Sequence, residues 1–241
     1  MRAALYYAPQ PNDPLHRAGA AWLGRDPETG ATVAQPALPG LDPAALRDAT
    51  ASPRHYGLHA TLTPPCRLAT GWEEFAAAAA TLAARTPAFA LPALHLEEVS
   101  GFLALVAPSC PPLDALAEAC LRAVDVHCRR PGEAELQRRR AAGLDPEQEA
   151  LLQRWGYPHV LSRWRFHVTL TGRLGADAMR PLRQAAAGHF AKVLAQPRDV
   201  AELCIVTEAA PGVPMLIAER LPLAGRAEAR PEALPLDSAG A

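Results

Sequence analysis

His59-Ala60-Thr61-Leu62-Thr63 and His167-Val168-Thr169-Leu170-Thr171 spell one pattern, H-x-T-L-T, twice in 241 residues. In both copies polar and apolar side chains alternate with the two-residue period of a half-buried strand. Leu58, Ala60 and Leu62 face one way and His59, Thr61 and Thr63 the other; Phe166, Val168 and Leu170 then oppose His167, Thr169 and Thr171. Eight histidines and eleven threonines give about 0.4 chance H-x-T matches in a chain of this length. Two longer copies therefore point to a duplication.

Each copy opens a script of strand, helix, strand, strand. After the first, Pro64-Pro65 stops the strand, and Thr70 with Glu73 forms a capping box for a helix over 72–85. Strands follow over 93–99 and 102–106, separated by the hairpin signal Ser100-Gly101. After the second, a helix is predicted over 176–194 and strands over 201–207 and 215–221. Between the copies, Leu113, Leu116, Cys120, Leu121 and Val124 recur at helical spacing behind Pro111-Pro112. A helical pair over 133–142 and 145–155 follows, the first ended by Gly143, the second opened by Asp145, Pro146 and Gln148. Residues 5–8 read as a strand. Residues 12–53 are rich in Pro, Gly and Asp and have no placed element, with Trp22 and Leu23 as anchors of a loop or short helix. The chain thus reads as α+β, one duplicated bilobal domain over 1–224 and a loose tail over 225–241.

Composition narrows the function. A 49% hydrophobic content supports a sizeable core, and 24 basic against 25 acidic residues leave a net charge of −1, without the field that gathers long nucleic acid or an anionic membrane. Cys66, Cys110, Cys120, Cys128 and Cys204 are odd in number and lack a C-x-x-C pair, so they are expected to be reduced and mostly buried. No signal-peptide run or spanning segment is evident, so the protein is expected to be cytoplasmic. His55 and His59 have zinc-pair spacing, but Gly57 and the strand alternation oppose a helix there. His127-Cys128 has no matching ligand pair, and Arg138-Arg139-Arg140 lies beside Glu133 and Glu135 as a solvated face. No metal or cofactor is expected, and no G-x-x-x-x-G-K-[ST] or G-x-G-x-x-G cradle is present.

The chemistry lies in the repeat. Histidine and threonine two apart on a strand project about 6.5–7 Å apart from one face. Two such strands surround a small volume with two imidazoles and two hydroxyls. One neutral and one protonated imidazole supply a general base and a general acid, and the hydroxyls hold anionic oxygens. The set suits metal-free phosphodiester hydrolysis.

Beyond the paired motifs, the stretches Arg54-His55-Tyr56-Gly57-Leu58-His59-Ala60-Thr61-Leu62, Arg154-Trp155-Gly156-Tyr157-Pro158 and Arg165-Phe166-His167-Val168-Thr169-Leu170-Thr171-Gly172-Arg173-Leu174 add to the likeness. Together they resemble the two-histidine (2H) phosphoesterase superfamily of RNA-ligase-like cyclic phosphodiesterases, in its phosphonate-metabolism branch. The resemblance implies two antiparallel sheets flanking a central cleft with helices outside. It assigns catalysis to His59, Thr61, His167 and Thr169, and links the protein to the carbon–phosphorus lyase pathway. The family's lysine after H-A-T-L is Thr63 here, which puts a cationic contact there in doubt. Arg54, Arg67, Arg165 and Arg173 lie near the motifs; Arg165 ranks first because it shares the face of His167, and Tyr56 is placed to stack on a sugar or base. The expected activity is metal-independent hydrolysis of a small cyclic phosphate, on a nucleotide or a phosphorylated ribose. The alternatives are a non-catalytic phosphate-binding module and an RNA end-processing or ligase-like enzyme.

Overall fold

A computed structural model describes residues 1–141 and 143–224. Ala142, the expected last residue of one helix, and the tail over 225–241 lie outside the described residues. The elements in chain order are β1 (Arg2–Tyr7), α1 (Pro14–Leu23), α2 (Pro43–Ala49), α3 (Ala51–Arg54), β2 (Ala60–Thr61), β3 (Cys66–Arg67), α4 (Trp72–Ala83), β4 (Phe89–Leu91) and β5 (His95–Val99). Then come β6 (Phe102–Val106), α5 (Pro111–Val124), α6 (Glu133–Arg140), α7 (Pro146–Trp155), β7 (His167–Thr169), α8 (Ala176–Leu194), β8 (Arg198–Val200), β9 (Glu202–Glu208) and β10 (Leu216–Pro222).

The class is α+β, with two antiparallel sheets. Their division differs from one sheet per half. The larger sheet runs β10-β9-β1-β2-β7-β6-β5, with β3 also on β1, so both histidine strands are central neighbours within it; β4 and β8 form the second sheet. The repeat also begins earlier than the H-x-T-L-T motifs suggest. One unit runs β1-α1-β2-α4-β4-β5 and the other β6-α5-β7-α8-β8-β9, each with extra helices ahead of its histidine strand, and β3 and β10 stand outside the repeat. Equivalent strands meet twice, at β2–β7 and β4–β8, while β5 crosses to pair with β6 and β9 crosses to pair with β1.

Prolines start the helices. Asp13-Pro14, Asp42-Pro43 and Asp145-Pro146 open α1, α2 and α7, each aspartate accepting a backbone N–H of the first turn. Two of these lie in the stretch that the sequence pattern left unplaced. The capping box at Asp145 and Gln148 forms as expected, but the one at Thr70 does not: Gly71 is the cap of α4, and the Thr70 hydroxyl meets His127 Nδ1 at 2.9 Å. Ser100 and Gly101, both at positive φ, make the two-residue turn between β5 and β6.

One face of the large sheet is covered. Ala3, Leu5, Tyr7, Ala60, Leu62, Leu105, Val168 and Ile205 pack with apolar residues of α1, α4, α5 and α8 into the main core. The opposite face has only a small cluster of Ala4, Tyr6, Val206 and Met215, and this face carries the histidines.

The cysteine expectation needs one correction: Cys66 and Cys128 form a disulfide across 62 residues, while Cys110, Cys120 and Cys204 are free and buried. Chain pairing far apart in sequence brings the two together. Arg129 N–H donates to Arg67 C=O and Ala69 N–H to His127 C=O, laying the two segments side by side. No helix among the described residues is long and apolar enough to cross a membrane.

Candidate active site

β2 and β7 pair antiparallel with Ala60 opposite Val168. Stepping one residue either way sets His59 opposite Thr169 and Thr61 opposite His167. Directly opposed residues of an antiparallel pair sit about 4.5–5.5 Å apart at Cβ. The two histidines therefore occupy one diagonal of a small rectangle and the two threonines the other, while Ala60 and Val168 are fully buried beneath.

The imidazoles are oriented in the same way. His59 Nδ1–H donates to Gly57 C=O and His167 Nδ1–H to Arg165 C=O, each at 2.9 Å and each two residues back. A carbonyl only accepts, so the neutral ring keeps its lone pair on Nε2. Gly57 holds its carbonyl in place with φ +75, and a side chain there would meet Pro27 at 2.6 Å.

The surroundings then diverge. The half-buried His59 stacks on Tyr6 with ring centroids 3.9 Å apart, and its Nε2 accepts from the Thr61 hydroxyl at 3.1 Å. Burial, with a smaller push from His167, lowers its pKa to about 4. His167 packs at 5.8 Å against Phe102, and its Nε2 has no protein partner among the described residues.

The last threonine of each motif turns away. Thr63 accepts Leu5 N–H at 2.8 Å and Thr171 accepts Leu103 N–H at 3.0 Å, both buried. Strand alternation put them beside the histidines; instead β2 and β7 end after the third motif residue and the chain twists inward. Thr63, where the resembled family carries lysine, is therefore tied to the backbone of β1 and turned away from the histidines.

The other candidates separate clearly. Tyr56 stands with its ring 6.0 Å from that of His59. Arg165 is exposed, with one guanidinium nitrogen donating to Ser162 and Trp164 carbonyls. Arg54 does not reach outward: it donates to Leu23 C=O at 2.7 Å, Arg47 C=O at 3.0 Å and Thr50 Oγ1 at 2.8 Å, which makes it a tie between α1, α2 and α3. Arg173 is exposed. His55 pairs with Glu208 at 3.5 Å. No group of three or more His, Cys, Asp or Glu among the described residues is placed to hold a metal ion.

Three residues escaped the sequence reading. Tyr6 forms the stack under His59, Tyr157 lies under the Arg139 guanidinium at 5.2 Å and edge-on to His159 at 5.7 Å, and burial with a smaller push from His167 lowers the pKa of His159. Tyr157 and His159 lie in the segment joining α7 to β7, which also supplies Trp164, whose indole N–H donates to Thr61 C=O at 2.8 Å. Alternation in β1 could have indicated Tyr6; Tyr157 lies in one of the stretches that carry the family resemblance, and no local pattern marks His159.

Two curated proteins are similar to this chain. The chain is 39% identical over 236 residues to the ribose 1,5-bisphosphate phosphokinase PhnN of Janthinobacterium sp. (strain Marseille), covering 94% of this chain and 52% of that protein. It is 38% identical over 212 residues to the protein of the same name from Laribacter hongkongensis (strain HLHK9), covering 87% and 49%. The chain spans about half the length of these relatives. Residues 61–216 match a family model that begins at Thr61, just past His59, and takes in β7, and the chain belongs to that family, described as protein of unknown function (DUF1045).

Proposed function

We propose that this chain is a metal-independent phosphodiesterase that opens a small cyclic phosphate on a phosphorylated ribose. The observation that carries the reading is the β2–β7 register, which brings two H-x-T pairs onto one face with both Nδ1 atoms held by carbonyls. Neutral at ordinary pH, His59 takes a proton from water at Nε2. The water oxygen forms its bond to phosphorus as the ring P–O bond breaks, and His167 gives its Nε2 proton to the departing oxygen. The Thr61 and Thr169 hydroxyls donate to the non-bridging oxygens; Thr61 swings from His59 to do so.

The relatives' name supports a phosphorylated ribose as substrate; the resemblance carried by the paired motifs supports a place in phosphonate breakdown, alongside carbon–phosphorus lyase. That name is a kinase's. A kinase reading of this chain is disfavoured because no phosphate cradle of the G-x-x-x-x-G-K-[ST] type occurs in it and its only lysine is Lys192. The test is phosphorus NMR of ribose cyclic phosphates incubated with the purified protein in EDTA. Ring opening that disappears in both His59→Ala and His167→Ala supports the proposal; loss to the chelator or full activity in either variant overturns it.

A further inference from the structure

A cavity of about 790 Å³ lies at the Arg2 end of the large sheet and is lined by neither histidine of the candidate site. Arg2, Ala4 and Tyr6 alternate onto one face of β1, and Arg67 stands opposite Arg2. Four residues of strand separate Arg2 from Tyr6, so the cavity lies about 13 Å along the same face from the His59 stack.

Its charge is unbalanced. Three lining carboxylates are already taken: Glu208 by Arg2, Asp125 by Arg130 in a bidentate pair at 2.9 and 3.0 Å, and Glu135 by Arg139 at 2.6 Å. Arg67, Arg129 and Arg138 also line the cavity, and none has a carboxylate partner among the described residues. Arg129 spends its Nε on Leu68 C=O, and the guanidinium groups of Arg67 and Arg138 make no hydrogen bond there.

All three are exposed, and the fold holds the backbones of two of them side by side. Arg67 and Arg129 each follow a cysteine of the Cys66–Cys128 disulfide, and Arg129 N–H donates to Arg67 C=O at 2.8 Å. A covalent bond and a backbone bond thus fix two unpaired cations side by side. The same cavity is lined by Gly132, the N-cap of α6, and by Ala134 in its first turn, and no side chain caps that helix start, where the helix dipole favours an anion. Recognition of a base has no platform: the one aromatic in the wall, Trp155, has Arg154 at 4.2 Å and Arg122 at 5.6 Å over its ring.

We propose that this cavity is a second anion site, separate from the histidine pair, that binds a diphosphate group through Arg67, Arg129, Arg138 and the N-terminus of α6. The diphosphate is either a free ligand or an arm of a longer ligand that also reaches the histidines.

Calorimetric titration of the full chain with inorganic pyrophosphate, at fixed ionic strength, tests the site. Binding is expected to weaken at least tenfold in Arg67→Ala and in Arg138→Ala, to be partly kept in Arg138→Lys, and to be unchanged in His59→Ala and in the distant surface variant Arg85→Ala. Circular dichroism melts confirm that each variant folds. Absence of pyrophosphate binding, equal weakening by Arg85→Ala, or loss in His59→Ala with retention in Arg67→Ala overturns the proposal. Kinetics then separate the two sources. A Michaelis constant raised by Arg138→Ala only for substrates with a distal phosphate marks an arm, and equal constants mark a free ligand.

Discussion

His59 and His167 occupy equivalent places in two copies of one motif, yet their environments differ. His59 is stacked on Tyr6, bonded at both ring nitrogens and lowered in pKa to about 4 by burial. His167 shares the Nδ1 bond to a carbonyl two residues back but has its Nε2 unengaged among the described residues. The repeated motif supplies the frame, and side chains outside it break the symmetry. In the proposed reaction that difference assigns the roles: a ring held neutral is the base, which leaves the acid to His167.

The largest effect expected is from removing either ring. His59→Ala and His167→Ala should each lower kcat by about 10²–10⁴, the usual contribution of a general acid or base. A loss confined to one of them would end the idea of a shared reaction. Next come the threonines: Thr61→Val and Thr169→Val should each cost about 10–100-fold in kcat/KM, the scale of one hydrogen bond to a charged group. Steady-state kinetics will show whether the two are equal, as the rectangle requires.

A smaller effect separates site from frame. Thr63→Val and Thr171→Val each leave a buried N–H, of Leu5 or Leu103, without its acceptor and should lower unfolding free energy by about 1–3 kcal/mol. Denaturant melts should show this with kcat little changed; a kcat loss matching that of Thr61→Val would return these residues to the site. A separate effect lies in the pH dependence of stability. The unfolded chain protonates His59 near 6.5 and the folded chain only near 4, so stability falls as pH drops through that window and levels off below it. Thermal melts of wild type and His59→Gln between pH 7 and 4 should diverge accordingly, with wild type losing more.

Most of the site was legible because its signal was local. Alternation in H-x-T-L-T fixed the strands and the face of His59, Thr61, His167 and Thr169 up to the point where the strands end. It could not show that Thr63 and Thr171 turn inward, since that depends on a backbone donor 58 or 68 residues away. The Ser100-Gly101 turn and the Asp145 cap were readable for the same local reason. The Asp-Pro starts at 13–14 and 42–43 carried an equally clear signal, masked by the surrounding prolines and glycines. Arg54 looked like a phosphate ligand by its nearness in sequence to His59, but α3 turns it toward carbonyls. The disulfide and the true start of the repeat are products of topology, with no sequence pattern of their own.

The crossing of β9 onto β1 bears on how the chain is made. On a ribosome adding about 5–20 residues per second, β1 emerges some 200 residues before β9, so its outer edge stays unpaired for about 10–40 seconds. Tyr6, the floor beneath His59, is on that waiting strand. The nascent chain can complete the acid side of the site, on β5, β6 and β7, before the base side is closed, and a holdase that covers hydrophobic strand edges would find its target in the first seven residues.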